Sequence, residues 1–133
     1  MRQHRFLLAC YEGDLVKLIE KQHLFVRLLP KLLDFAVNLA DKNGWFVTEG
    51  DAFRDPRVHG EYGVKQSYSG ANSNHKLRLA IDINLISDGV LLGAEAHEEL
   101  GKYWKKLHPL CEWGGEPGRN DANHYSLNHN DSW

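Results

Sequence analysis

Four polar side chains interrupt apolar, strand-like stretches of this sequence, and they constrain the fold more than any other feature. His75 and Asp82 come from one stretch, and Asp121 and His124 come from another much further along the chain. Two imidazoles and one carboxylate make a zinc ligand set that leaves one coordination position open to water. If His75, Asp82 and His124 bind one zinc ion, the two stretches must lie close together in the fold. This ligand set predicts a zinc hydrolase site.

The stretch that contains Asp82 is predicted to be a strand. A carboxylate flanked by isoleucines is costly to bury without a partner, and a divalent cation is one partner that stabilises it. A turn-capping role or a salt bridge to Arg54, Arg78 or Arg119 is the alternative. Alternation along the strand puts Ala80, Asp82 and Asn84 on one face, and Leu79, Ile81, Ile83 and Leu85 on the other.

Asp121 lies three residues before His124, and it has two roles open to it. Beside a metal, its carboxylate would take a proton from water and return it to a leaving amine. Zinc lowers the pKa of bound water to about 7, so this base need not be strong. The pair Asn120-Asp121 is also typical of turns, and the spacing alone favours neither interpretation.

Four further residues are candidates for substrate contact. Arg54 follows a predicted strand and would stabilise an oxyanion or bind a carboxylate bidentately, although a solvated loop arginine is the commoner case. Ser73 would bind substrate or orient a ligand, or else cap its loop. Trp113 and Tyr125 would line a groove, although aromatic side chains more often pack in the core.

The remaining histidines lack a matching carboxylate and are expected at the surface, with His129 as a fallback ligand. These are His4, His23, His59, His97, His108 and His129. The two cysteines, Cys10 and Cys111, have no CxxC partner, which excludes a cysteine-rich zinc site and makes buried free thiols the expectation.

Hydrophobic periodicity and turn residues predict helices first and short strands afterwards. Gly13-Asp14 is expected to divide the region 3–29 into two helical pieces, and Pro30 to begin a new helix that stops at Gly44. Asp88-Gly89 predicts a hairpin turn. The other predicted elements are a strand at 45–49, a loop at 50–72 with one helical turn, strands at 79–86 and 90–92, a helix at 94–107, and strands at 111–113 and 123–127.

This order favours an α+β fold, in which a small antiparallel sheet has helices packed on one face. The 133 residues fit a single domain, 1–133, and 42% hydrophobic residues suffice for one core. A net charge of -2 does not suggest a nucleic-acid partner. The apolar run Phe6–Ala9 is too short for a signal peptide and no run would span a membrane, so a cytoplasmic origin is expected.

The motif residues together resemble the signature of a zinc peptidase family. That signature is SxHxxxxAxD, then a WGG-like turn, then DxxH or ExxH followed by an aromatic residue. A strand and an arginine at 47–54 also agree, so the resemblance covers roughly residues 31–127. In this chain the signature reads Ser73, His75, Ala80 and Asp82, then Trp113-Gly114-Gly115, then Asp121, His124 and Tyr125.

The family contains zinc D-Ala-D-Ala carboxypeptidases and dipeptidases, together with the L-alanyl-D-glutamate endolysins of tailed phages. The family shares its fold with the hedgehog signalling domain, and the resemblance implies the same fold for this chain. Where the family often has a glycine between the first histidine and the alanine, this chain has Arg78. The implied roles are zinc ligation by His75, Asp82 and His124, base catalysis by Asp121, and substrate anchoring by Arg54.

The resemblance implies a zinc-dependent peptidase that cuts the stem peptide of bacterial peptidoglycan. An aspartate base, a small size and the missing leader look more like a phage endolysin, which would reach the cell wall after release through a holin. A D,D-carboxypeptidase is the alternative within the family. A non-catalytic zinc-containing module that binds cell wall is the alternative outside catalysis, and a monomer is expected.

Overall fold

The computed structural model describes the backbone of residues 12–130 and the side chains of residues 17–130. The helices are α1, Glu12–Asn43, the short α2, Pro56–His59, and α3, Ala94–Leu107. A 3₁₀ turn covers Asn74–Leu77. The strands are β1 (Phe46–Glu49), β2 (Ala80–Ser87), β3 (Val90–Leu91), β4 (Cys111–Trp113) and β5 (His124–Leu127).

The long helix α1 corrects the prediction that Pro30 begins a new helix, because Pro30 lies inside it. Gly13 and Asp14 lie in its first turn, and the helical piece predicted before them falls on residues outside the described range. The proline and the neighbouring turn face solvent, since Pro30 and Val26 are exposed. Water can therefore satisfy the carbonyl that loses its partner to proline. The part of the helical prediction that falls on residues 3–11 lies outside the described residues.

Five strands form an antiparallel sheet in the order β1-β2-β5-β4, with β3 paired to β2. The hairpin between β2 and β3 turns at Asp88-Gly89, whose φ angles of 52° and 75° are those of a tight two-residue hairpin turn. Strand β2 is central, because it pairs with β1 along one edge and with β5 along the other. The predicted strand boundaries agree with the structure to within one or two residues.

Helices α1 and α3 cover the apolar face of the sheet. The buried face of α1 repeats at helical spacing in Phe25, Leu28, Leu32, Ala36 and Leu39, and it meets Ile81, Ile83 and Leu85 of β2 in one core. Trp104 of α3 is fully buried at the centre, in edge contact with the Phe25 ring. The α+β class with helices on one face of an antiparallel sheet is thereby confirmed.

Two expectations about the remaining chain can be compared with the structure. Cys111 is a buried free thiol, as expected, while Cys10 lies outside the described residues. Within residues 12–130, no helix has the length and apolar character that crossing a bilayer requires.

Candidate active site

The structure brings His75, Asp82 and His124 together at the polar face of the sheet. His75 Nε2 lies 3.2 Å from Asp82 Oδ1, and His124 Nδ1 lies 3.5 Å from the same oxygen. The two ring nitrogens are 3.2 Å apart. Both imidazoles are buried, and the Asp82 side chain is 15% exposed. We call these three residues the ligand triangle.

Strand pairing places two corners of the triangle. Asp82 of β2 is directly opposite His124 of β5 in the antiparallel register, so their side chains lie on the same face. Alternation sends the neighbours Ile81 and Ile83 into the core, where they are 1% and 0% exposed, as the sequence predicted. The carboxylate therefore points to the polar face from a strand that is otherwise anchored in apolar surroundings.

The 3₁₀ turn before β2 places the third corner. Ser73 caps this turn, because its Oγ accepts a hydrogen bond from the His75 backbone N–H at 3.2 Å. Arg78 ends the turn with φ of 60°, in the left-handed region that glycine adopts most easily. The chain thus keeps a conformation suited to glycine with an arginine, whose guanidinium lies 3.8 Å from the centre of the Phe53 ring.

Hydrogen bonding fixes which nitrogen of His75 faces the triangle. His75 Nδ1 lies 2.7 Å from the carbonyl oxygen of Ala52 and must donate to it, because a carbonyl only accepts. In the neutral ring Nε2 is then an acceptor, and it faces the Asp82 carboxylate oxygen. Such a concentration of lone pairs is stabilised by a shared proton or by a cation.

The donor set and its spacing fit zinc. Ligand atoms that lie about 2.0–2.1 Å from a tetrahedral ion are about 3.3–3.4 Å from one another. The three separations in the triangle are 3.2, 3.2 and 3.5 Å. Two imidazoles and one carboxylate would occupy three positions and leave the fourth for water or substrate.

The charge of Asp82 favours binding of a cation at the ligand triangle. Burial opposes ionisation of Asp82, but hydrogen bonds and electrostatic interactions with His124 and His75 hold the pKa of this carboxyl well below its usual range. The guanidinium of Arg54 adds to this field, with Nη2 at 3.9 Å from Asp82 Oδ2. The carboxylate is therefore ionised at neutral pH.

Asp121 lies at the open side of the triangle. Its Oδ2 is 3.7 Å from His124 Nδ1, and its side chain is 49% exposed. Partial burial raises the pKa of the Asp121 carboxyl above its ordinary value, which brings it closer to the range that suits a proton carrier. Asn120, with φ of 55°, supplies the turn that precedes it. Both interpretations of Asn120-Asp121, turn and site, are compatible with this geometry.

Arg54 lies on the other side of Asp82, held by loop residues. Its Nε donates to Asp51 Oδ2 at 3.2 Å, and its Nη1 donates to Ser69 and Ser73 at 3.3 and 3.2 Å. The Tyr68 ring stacks near the guanidinium at 5.2 Å, and its hydroxyl donates to Asp51 at 2.6 Å. Within the described residues, Nη2 carries no direct hydrogen bond.

The structure places the other predicted contact residues away from open solvent. Ser73 is 4% exposed and bonded to Arg54 and the 3₁₀ turn, so it supports the site from behind. Tyr125 is 0% exposed in the core. Trp113 is 6% exposed and packs between Gly101 and Gly115, where an added Cβ would come within 2.2 and 2.0 Å of the indole. Tyr125 therefore packs in the core, whereas Trp113 lines a surface cavity of about 300 Å³ next to Lys105 and Glu116, and its contact with substrate stays a prediction.

One further correction concerns the histidines. His97 was expected at the surface, but it is 0% exposed and hydrogen-bonded through Nδ1 to the Tyr125 hydroxyl at 2.7 Å. Its place on the inner side of α3, three residues before Leu100, was the available signal. The fallback ligand His129 instead lies near Lys21, outside the triangle.

Comparison with known proteins concerns mainly the segment that carries the triangle. Residues 67–127 match the model of a family described as D-alanyl-D-alanine carboxypeptidase, which is slightly less than half of the chain. The resemblance to that peptidase family is confirmed. The matched segment includes the whole triangle and Asp121, but not Arg54. This match supports peptidase activity for the chain.

Three chains among the solved structures are similar to this chain, including the one that follows. The L-Ala D-Glu endopeptidase ChiX of Serratia marcescens is 19% identical, with 77% of this chain and 81% of that chain covered and a TM-score of 0.47. No curated protein matches this chain in sequence.

Proposed function

We propose that this protein is a zinc-dependent peptidase that hydrolyses the stem peptide of bacterial peptidoglycan. The observation that carries the proposal is the ligand triangle, with three donor atoms 3.2–3.5 Å apart and the Asp121 carboxylate 3.7 Å from one of them. An open tetrahedral position beside a carboxylate is the arrangement of a catalytic zinc site. Structural zinc sites instead close all four positions.

His75, Asp82 and His124 would hold the ion, which supplies a Lewis acid for the scissile carbonyl and a supply of nucleophilic water at neutral pH. Asp121 Oδ2 accepts the proton of the attacking water and passes it to the leaving amine. Its partial exposure leaves room for substrate on that side.

Arg54 has one side of its guanidinium left for substrate. Asp51, Ser69 and Ser73 fix Nε and Nη1, while Nη2 points toward Asp82 without a hydrogen bond of its own among the described residues. A fixed donor at this place stabilises developing negative charge or orients a substrate carboxylate. Arg54 Nη2 also lies 3.9 Å from Asp82 Oδ2, so the same guanidinium is near both a zinc ligand and the expected place of the substrate.

The bond we favour is L-alanyl-D-glutamate, as in phage endolysins. A D,D-carboxypeptidase is the second candidate, because the matched family model is described by that activity. A non-catalytic zinc module that binds cell wall is the third, and Asp121 argues against it, since binding alone needs no proton carrier. We infer action at the cell wall after release from the cell, through a holin in the endolysin case.

The decisive test is mass spectrometry of fragments released from defined muropeptides by the zinc-loaded protein. An L-alanyl-D-glutamate endopeptidase releases a peptide that begins with glutamate, and a D,D-carboxypeptidase releases free D-alanine. Zinc-loaded Asp121→Asn is the matched control, because it keeps the side-chain shape without the base. Absence of any fragment from the wild-type protein with one zinc per chain would favour the binding module.

A further inference from the structure

A cavity of about 480 Å³ opens beside Asp121, on the side of the triangle away from the residues that hold Arg54. Its walls come from the start of α3, from the turn between β4 and β5, which includes Asn123, and from Asn84 on β2. This volume is within the range of small-ligand pockets. Substrate held at the triangle would therefore extend into it.

The charges around this cavity differ from those around Arg54. Glu116 and Asp121 are the two ionisable carboxylates on its wall, and no lysine or arginine of residues 17–130 lines it. Lys105 pairs with Glu116 but does not line the cavity. A free carboxylate in the cavity would face the Asp121 carboxylate, and no lysine or arginine of residues 17–130 on the wall would pair with it, so the cavity suits an uncharged group.

The side-chain amides of Asn84 and Asn123 are held in place by a series of hydrogen bonds. Asn123 Nδ2 donates to Asn84 Oδ1 at 3.2 Å, and Asn84 Nδ2 donates to Thr48 Oγ1 at 3.2 Å. This order leaves Asn123 Oδ1 as an acceptor next to the ligand His124. An N–H donor on the occupant would satisfy it.

His97 supplies the complementary donor. The Tyr125 hydroxyl is fully buried and lies within hydrogen-bond distance of His97 Nδ1, at 2.7 Å. If the hydroxyl donates there, the ring proton of neutral His97 is on Nε2. Burial lowers the pKa of His97 to about 4, so the ring is neutral at pH 7. His97 lies on the cavity wall, and Nε2 is buried without a hydrogen-bond partner within residues 17–130.

We propose that this cavity is a subsite for an uncharged peptide group of the substrate, with His97 Nε2–H donated to its carbonyl and Asn123 Oδ1 accepting from its N–H. This inference deepens the proposed function and rests on it for the identity of the substrate. An unpaired buried donor and a nearby acceptor are what a peptide group would satisfy together. Any carboxylate of the substrate then lies toward Arg54.

The test uses nuclear magnetic resonance on the full, zinc-loaded chain and does not depend on hydrolysis. The probes are N-acetyl-L-alaninamide, which is neutral, and N-acetyl-L-alanine, which carries a carboxylate. We expect the neutral probe to shift the backbone amides of Gly93, Ala94 and Gly118 and the carboxylate probe to shift them far less. Equal shifts with both probes, or no shift with either, would overturn the inference.

Variants locate the interaction. His97→Leu should weaken binding of the neutral probe about five- to tenfold, the usual effect of one lost hydrogen bond. His97→Gln keeps a donor and should recover most of it. Glu116→Gln should reduce the preference for the neutral probe, and Glu98→Gln is its control, because Glu98 pairs with Lys102 on the same helix but outside this cavity.

Folding and function are controlled separately. Thermal unfolding of each variant shows whether it is folded, and if His97→Leu is not, the Glu116→Gln and Glu98→Gln pair still decides the charge argument. Binding of the neutral probe in a protein that releases no muropeptide fragment would reject the proposed function and keep the subsite. Hydrolysis of muropeptides without binding of the neutral probe in the cavity would reject the subsite and keep the proposed function.

Discussion

The two sides of the ligand triangle are built in different ways. Asp82 and His124 sit opposite each other in paired strands, so register alone decides their separation. Arg54 sits in a loop, where hydrogen bonds to Asp51, Ser69 and Ser73 decide its place. The strand side is fixed by backbone pairing and core packing, whereas the loop side is fixed by individual polar contacts. Substitutions should therefore act on metal binding on the first side and on turnover on the second.

Removing a ligand should have the largest effect. His75→Ala leaves two donors in the triangle, so we expect zinc content to fall from about one per chain to near zero and hydrolysis to reach background. Loss of zinc also removes stabilisation of the folded state, so the melting temperature should fall toward that of the chelator-treated wild type. Elemental analysis and thermal unfolding measure both effects.

His129→Ala is the matched control for that prediction, since His129 lies outside the triangle beside Lys21. Retention of a full zinc equivalent by His75→Ala would show that Asp82 and His124 of the paired strands hold the ion without the third corner, and it would contradict the three-ligand site.

Asp121→Asn should have the next largest effect and should separate chemistry from metal binding. Zinc content should stay at the wild-type value, because Asp121 is not a corner of the triangle. Loss of a general base typically costs about 10²- to 10⁴-fold in rate, and we expect kcat on a muropeptide to fall in that range. Full activity in this variant would remove Asp121 from the mechanism and leave it as a turn residue.

The buried His97 on α3 predicts that the free energy of unfolding is sensitive to acid. Burial lowers the pKa of His97 to about 4 in the folded protein, whereas an unfolded histidine titrates near 6.5. The unfolded chain therefore binds a proton that the folded chain does not, and stability falls as pH drops from about 6.5 to about 4. The loss from this group is about 3 kcal/mol.

Denaturant unfolding with a chelator present measures this loss without a contribution from zinc release. His97→Gln cannot titrate, so its free energy of unfolding should fall less over the same pH range. Parallel curves for the two proteins would assign the acid sensitivity to other groups.

The difference between the strand side and the loop side also explains which parts of the site could be predicted from the sequence. Alternation along residues 79–85 gave the outward face of Asp82 and the buried face of Ile81 and Ile83, because the strand period is two. The triangle followed from motif spacing. The corrections came where local signals competed with packing: Pro30 continues α1 because its turn faces solvent, and His97 is buried because α3 packs against Tyr125.

The surroundings of Arg54 could not be predicted in this way. Its contacts with Ser69 and with Tyr68 cross a loop in which no periodic pattern relates the residues. Loop hydrogen bonds depend on the path of the chain, which the sequence does not reveal through hydrophobic spacing. The bond between His75 Nδ1 and the Ala52 carbonyl was missed for the same reason, because a backbone acceptor has no residue type.

Arg54→Lys tests the loop side with the smallest expected effect. Lysine keeps the positive charge beside Asp82 but cannot donate at once to Asp51, Ser73 and a substrate, since it lacks the planar fork of arginine. Zinc should be retained, and kcat/KM on a muropeptide should fall about 10- to 100-fold, the scale of one or two charge-assisted hydrogen bonds. Arg57→Lys, at a fully exposed arginine only three residues away that pairs with Asp55, should change nothing. If Arg54→Lys instead loses zinc, the loop holds the ligand Asp82 as strongly as the strands do, and the two sides are one unit.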